Sequence, residues 1–206
     1  MRKLISSSFA LITLSLLAFN GCSNNNDEFL KISQNELSIA DNCLNPNKSF
    51  EMDCYDLISY KNSFAQLRLG LYAQLNGNFD EAIKRLNTAK QKGNFYANAP
   101  LSDIYKNGLG VQKDEKLAKK LLLETKDIDP IAAYKLSFYY LDTGEVDDAI
   151  ELLQKAAKNN VKLALLKLSD LYKNAEYIRR DMEMSKAWQE EYDEMQTDFS
   201  TKIYGK

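Results

Sequence analysis

The chain has 206 residues, with 27 basic and 29 acidic side chains, a formal charge of −2, three cysteines and no histidine. That length suits one domain, and the ordinary apolar and charged content excludes a disordered tail and a multispan membrane protein. The missing histidine excludes Ser-His-Asp and Cys-His catalysis and imidazole metal ligation, and the near-neutral charge argues against nucleic-acid binding, which needs a basic stripe.

Residues 1–21 read as an export signal. Arg2 and Lys3 precede a sixteen-residue stretch, 4–19, that is apolar apart from four serines and a threonine. It falls short of the roughly 20 residues that a membrane-crossing helix needs. The stretch ends in Asn20-Gly21-Cys22, which resembles the lipobox of bacterial lipoproteins, where the cysteine thiol takes a diacylglyceryl group and the chain is cut before it. Phe19 departs from that pattern, which usually has an aliphatic residue there. The resemblance implies that Cys22 is the lipidated first residue of the mature chain. Ser23 after it resembles outer-membrane sorting, with the domain facing the periplasm of the bacterial cell envelope. The alternative is an unmodified cysteine beside an ordinary cleavage site. Residues 22–28, with three consecutive asparagines, read as a polar tether. Removing residues 1–21 takes away two basic residues and no acidic one, leaving 185 residues with 25 basic against 29 acidic, a charge of −4.

Residues 29–61 read as a helical cap. Phe29, Leu30, Ile32, Leu37 and Ile39 give an amphipathic helix over 29–40. In an oxidising compartment Cys43 and Cys54 are expected to close a disulfide around the turn Asn45-Pro46-Asn47. The spacing is not C-x-x-C, and two cysteines without histidine cannot complete a tetrahedral metal site, so no metal or cofactor is expected.

The remainder repeats itself. LSDIYKNG at 101–108 returns as LSDLYKNA at 168–175, identical at six of eight positions, and Leu69, Leu101, Leu136 and Leu168 are spaced by 32, 35 and 32 residues. That period is one helical hairpin. In the third unit Val146, Ala149, Ile150, Leu153, Ala156 and Ala157 mark one helix face, Gly144 ends the preceding helix, and Asp147 and Asp148 sit in the next first turn. Asp129 followed by Pro130 predicts another helix start. The small residues Ala82, Ala89, Ala118, Ala149 and Ala156 allow paired helices to approach closely.

The pattern Leu69-Gly70, Gly77, Ala82, Leu86, Ala89 is similar to the tetratricopeptide repeat, as is Leu136, Tyr140, Gly144, Ala149, Leu153, Ala156. Leu101, Tyr105, Gly108, Gly110-Val111, Asp114 and Ala118 resemble the Sel-one-like repeat throughout. The fourth unit keeps Leu168, Tyr172, Asp181 and Trp188 but has Ala175, Tyr177 and Ile178 where glycines and valine belong, a degenerate copy. The resemblance implies an all-α chain whose residues 62–196 form a short α-solenoid of about four helix-turn-helix repeats, followed by a frayed tail over 197–206.

Such solenoids bind protein segments on a concave face built from the first helix of each hairpin. The tetratricopeptide frame places Leu67, Leu71, Asp103, Lys106, Tyr134, Phe138, Asp170 and Lys173 on that face. Tyr105, Tyr140 and Tyr172 occupy framework positions. The expected role is a membrane-anchored interaction scaffold for a protein or peptide in the envelope. The alternative is a hydrolase like the cysteine-rich β-lactamases with Sel-one-like repeats; those relatives carry a disulfide within each repeat, and no Ser-x-x-Lys nucleophile stands in a suitable setting here.

Overall fold

The computed structural model describes residues 24–205. Cys22 and the signal segment lie outside the described residues, as do the side chains of Phe29, Leu30 and Ile32. Among the described residues the chain is all α: α1 (Asn24–Asp41), α2 (Lys48–Ile58), α3 (Ser63–Leu75), α4 (Phe79–Gln91), α5 (Asn98–Asn107), α6 (Glu115–Thr125), α7 (Pro130–Thr143), α8 (Val146–Lys158), α9 (Lys162–Asn174), α10 (Met182–Glu194) and α11 (Phe199–Tyr204). A short 3₁₀ turn, Phe95–Ala97, precedes α5.

Four antiparallel hairpins, α3/α4, α5/α6, α7/α8 and α9/α10, stack in sequence order. Their helix starts are set by short polar side chains that satisfy otherwise orphaned N–H groups. Asn62 Oδ1 accepts from Ala65 N at 2.9 Å, Asp114 Oδ1 from Leu117 N at 2.9 Å and Asp129 Oδ1 from Ile131 N at 2.9 Å. Pro130 occupies the first turn of α7, where its missing N–H costs nothing. Ala82, Ala89, Ala118, Ala149 and Ala156 are all fully buried, because only a methyl fits where the two helices of a hairpin meet. The same crowding explains Gly70, where a Cβ would stand 2.8 Å from Leu86 Cγ.

Among the described residues two clusters form the core. One joins the cap to the first two hairpins, through Leu37, Ala40, Tyr55, Phe64, Leu67, Leu86, Leu101 and Ile104. The other runs through the last hairpins, with Leu122, Leu136, Leu153, Leu165 and Leu168. Burying each such leucine, isoleucine or phenylalanine side chain stabilises the fold by about 1.5 to 3 kcal/mol.

The N-terminal helices cover the first hairpin as helix caps must in a stacked array. Glu36 on α1 accepts from Ser63 N at 2.9 Å, and its backbone carbonyl accepts from Asn62 Nδ2 at 2.7 Å. A Cys43–Cys54 disulfide ties the end of α1 to α2. Helix α1 already begins at Asn24, so the expected tether is helical over residues 24–28. That stretch holds no glycine or proline to stop the helix running back.

The expectation of a frayed tail over 197–206 is overturned for residues 199–205. Asp198 accepts from Ser200 N, Gly205 closes the helix in the left-handed conformation, and Ile203 is 3% exposed. Phe199 and Ile203, four residues apart, give this single helical turn an apolar face. Phe199 and Tyr204 pack against both core clusters.

Candidate functional site

The first helices of the hairpins, α3, α5, α7 and α9, line one side of the stack. A trough of about 560 Å³ crosses them, with Leu71 and Leu75 from α3, Asp103 from α5, Ile131 and Tyr134 from α7 and Leu163 from α9 among its walls. Ser200 and Tyr204 of α11 also line it. Leu75 is 77% exposed and Leu163 51%, an arrangement that leaves aliphatic surface facing water.

A second, smaller cleft of about 240 Å³ lies between α5 and α7, lined by Asp103, Lys106, Tyr134, Lys135, Phe138 and Tyr139 among others. Tyr134 and Phe138 meet edge to face with ring centroids 5.1 Å apart. Lys135 Nζ donates to both carboxylate oxygens of Asp103, at 2.9 and 2.8 Å. Lys106 lies over the Tyr139 ring at 4.8 Å and Lys167 over the Phe138 ring at 5.5 Å. Aromatic faces bracketed by ammonium groups, with one carboxylate already neutralised, favour contact with a mixed apolar and polar peptide surface.

The eight expected groove positions therefore divide. Asp103, Lys106, Tyr134 and Phe138 converge on the smaller cleft, and Leu71, Asp103 and Tyr134 also border the trough. Asp170 and Lys173 on α9 line neither. Leu67 is corrected outright: it is fully buried in the first core cluster, together with Ile203 of α11, and lines neither concavity. The framework tyrosines Tyr105 and Tyr140 pack against the first and second clusters respectively.

Sequence reasoning missed three groups here. Lys135 and Lys167 fall outside the repeat frame's groove slots and reach the cleft because their stems are long. Arg68, adjacent to the mispositioned Leu67, is 3% exposed. Its guanidinium donates to Asp41 at 2.5 Å, to Tyr55 Oη at 3.1 Å and to the carbonyl of Lys202 at 3.3 Å. It thus joins α1, α2, α3 and α11. A lone arginine within the otherwise apolar run of α3 was the available signal.

Beside the groove, Asp129 is fully buried at the start of α7. Its Oδ1 caps the helix, whereas Oδ2 has no hydrogen-bond partner among the described residues. Burial pushes this carboxyl up to about 7, against the opposing pull of the backbone N–H groups of Ile131 and Ala132 and the charge of Lys135. The hydroxyls of Tyr96 and Tyr204 are pushed up in turn, first by burial and then by the nearby carboxylate.

The turns carry the repeat. In the second hairpin Gly108 and Gly110 both take positive φ, +66° and +68°, and Asp114 N donates to Tyr105 O at 2.8 Å. The Sel1 repeat family model matches residues 63–90, 96–124 and 130–161. The chain carries three Sel1 repeats. The two hairpins that are similar to tetratricopeptide repeats thus match the Sel1 pattern as well. The fourth hairpin lies beyond the matched segments but keeps the Sel1 turn: Asp181 N donates to Tyr172 O at 3.0 Å, and Ala175 takes the place of Gly108 at φ +54°.

The fold is shared with solved Sel1 proteins. A Sel1 repeat protein from Oxalobacter formigenes superposes with a TM-score of 0.65 at 24% identity, over 74% of this chain and 65% of that one. A protective antigen of uropathogenic Escherichia coli strains, which displays an SLR fold, superposes with a TM-score of 0.61 at 21% identity, over 78% of this chain and 38% of that one. The chain thus spans less than two thirds of either relative's length. No curated protein matches it in sequence.

Proposed function

We propose that this Sel1 repeat protein is a lipid-anchored scaffold of the bacterial cell envelope that holds a segment of another protein in its concave groove. The observation that carries the reading is the trough crossing α3, α5, α7 and α9, with Leu75 and Leu163 exposed in it and the aromatic cleft of Tyr134 and Phe138 beside it. Single domains seldom leave contiguous apolar surface in a concavity unless something docks there. The Sel1 repeats support it, since stacked helical hairpins present extended binding surfaces. The apolar stretch ending in Gly21-Cys22 supports the anchor, because two or three acyl chains at about 0.8 kcal/mol per buried methylene hold a domain on a membrane.

A photo-crosslinking residue placed at Phe138 or Lys106 in the native envelope is expected to capture a discrete partner, with no capture from Lys84 on the outer helix α4. Equal capture from Lys84 would overturn the groove assignment. Globomycin is expected to leave an unprocessed precursor, and Cys22→Ala to release the protein from membranes; attachment that survives the substitution removes the anchor. A scaffold is also expected to leave a chromogenic β-lactam unhydrolysed, and turnover that follows the protein through purification would favour the hydrolase instead.

A further inference from the structure

The C-terminal helix α11 is seated like a ligand. Its start is held at the fourth hairpin, where Phe199 N donates to Asn160 O at 2.8 Å and Lys162 N donates to Asp198 at 3.2 Å. Its end is held at the first hairpin, 134 residues away in sequence, where the buried Arg68 guanidinium donates to Lys202 O. A cation on the last carbonyls of a helix is favoured by the helix dipole. Between these points Phe199 meets the Tyr96 ring edge-on at 5.8 Å, Tyr204 Oη donates to Tyr96 O at 3.4 Å, and Ile203 is buried in the first core cluster. Gly205 fits because a Cβ there would lie 3.0 Å from Arg68 Nε. The Nε itself has no hydrogen-bond partner among the described residues.

Three features separate α11 from the repeats. It is six residues long, whereas the repeat helices have ten to fourteen. Only residues 195–198 connect it to α10. It also fills only part of the concavity, since the trough continues along its flank. A helix this short has no stability of its own, so its order is supplied by the seat.

We propose that the seat of α11 is the docking site of the partner, that α11 occupies it as an internal stand-in, and that the partner supplies a short amphipathic helix of the same pattern: an aromatic residue, then an aliphatic four positions on, then an aromatic directly after it. This rests on the reading of the concave face as a binding groove. The partner helix takes the positions of Phe199, Ile203 and Tyr204, presents its C-terminal carbonyls to Arg68 and extends into the open trough beside Leu71, Leu75 and Leu163. This is recognition of a helix in a groove, read at i, i+4 and i+5.

The tether makes the competition quantitative. A linker of four residues holds α11 at an effective concentration on the order of 1 mM, so a tail whose intrinsic dissociation constant for the seat is about 100 μM weakens any competing partner roughly tenfold. The test uses a fluorescein-labelled synthetic peptide of residues 197–206, read by anisotropy. The chain ending at Gln196 is expected to bind it at least tenfold more tightly than the full chain does. A peptide carrying Ile203→Asp is expected not to bind. Equal binding to both chains, or no binding to a truncated chain that keeps its helical circular dichroism, would overturn the proposal. Where the truncated chain fails to fold, the full chain with a protease site in place of residues 195–197 decides the matter. After cleavage the tail is expected to exchange with labelled peptide, and a tail that never exchanges is a permanent part of the core. Phe138 lies outside the seat of α11, so specific crosslinking there alongside failure of the peptide would retain the scaffold and remove only this proposal.

Discussion

Replacing Asp129 with asparagine tests whether burial governs this carboxyl. The Asp129→Asn variant keeps the cap, since asparagine serves as an N-cap as well as aspartate does, and removes only the ionisable group. The carboxyl sits near 3.8 when exposed and about 7 in the folded protein. The folded state therefore holds this proton more tightly than the unfolded chain does. Its contribution is fully present below pH 4 and is lost as pH rises through 7. At about 1.4 kcal/mol per unit, the loss across that window is on the order of 4 kcal/mol for the wild type and absent in the variant. The charged and titratable groups around it are Lys135 on α7 and the hydroxyls of Tyr96 and Tyr204, which stay protonated across the window. Urea unfolding of both chains at pH 4.5, 6 and 8 isolates the effect, because the exposed carboxylates titrate alike in both. The stability of the variant relative to wild type is expected to climb steadily with pH. A difference that stays constant from pH 4.5 to 8 would refute the assignment of a buried, proton-holding carboxyl.

The other expectations concern the turns and the cap. Gly110→Ala forces a side chain into a positive φ and places a Cβ 2.6 Å from Phe79 Cβ, so it should cost about 2 kcal/mol or more in chemical denaturation. Ala175→Gly relieves the left-handed residue at the matching turn of the fourth hairpin and should raise stability by about 0.5 to 1 kcal/mol; a loss would mean that Ala175 is not strained. Cys43→Ser with Cys54→Ser, or reduction, opens a loop of sequence separation 11 and should cost roughly 2 to 3 kcal/mol, while a thiol count on the unreduced, denatured protein should find both sulfurs blocked.

The repeat architecture was legible because its determinants are local. Leucine spacing, alanines on one helix face, glycines at positive φ and aspartates at helix starts each act within a few residues, and the structure places them where that grammar requires. The cleft was partly legible for the same reason: Asp103, Lys106, Tyr134 and Phe138 lie at repeat positions, and equivalent positions in stacked hairpins converge. Leu67 failed because the repeat frame specifies which side of a helix faces inward, not what lies on top of it. That side of the first hairpin is shared with α11, whose Phe199 and Ile203 spacing was present in the sequence but too short to stand as a helix without a seat. The charge state of Asp129, the junction at Arg68 and the occupant of the groove all depend on segments brought together across as many as 134 residues. The sequence by itself determined the hairpins and their order, through interactions within one or two turns of chain; only tertiary packing decided which polar groups lost their water and which surface the chain covers with its own C-terminus, because burial is a property of neighbours in space.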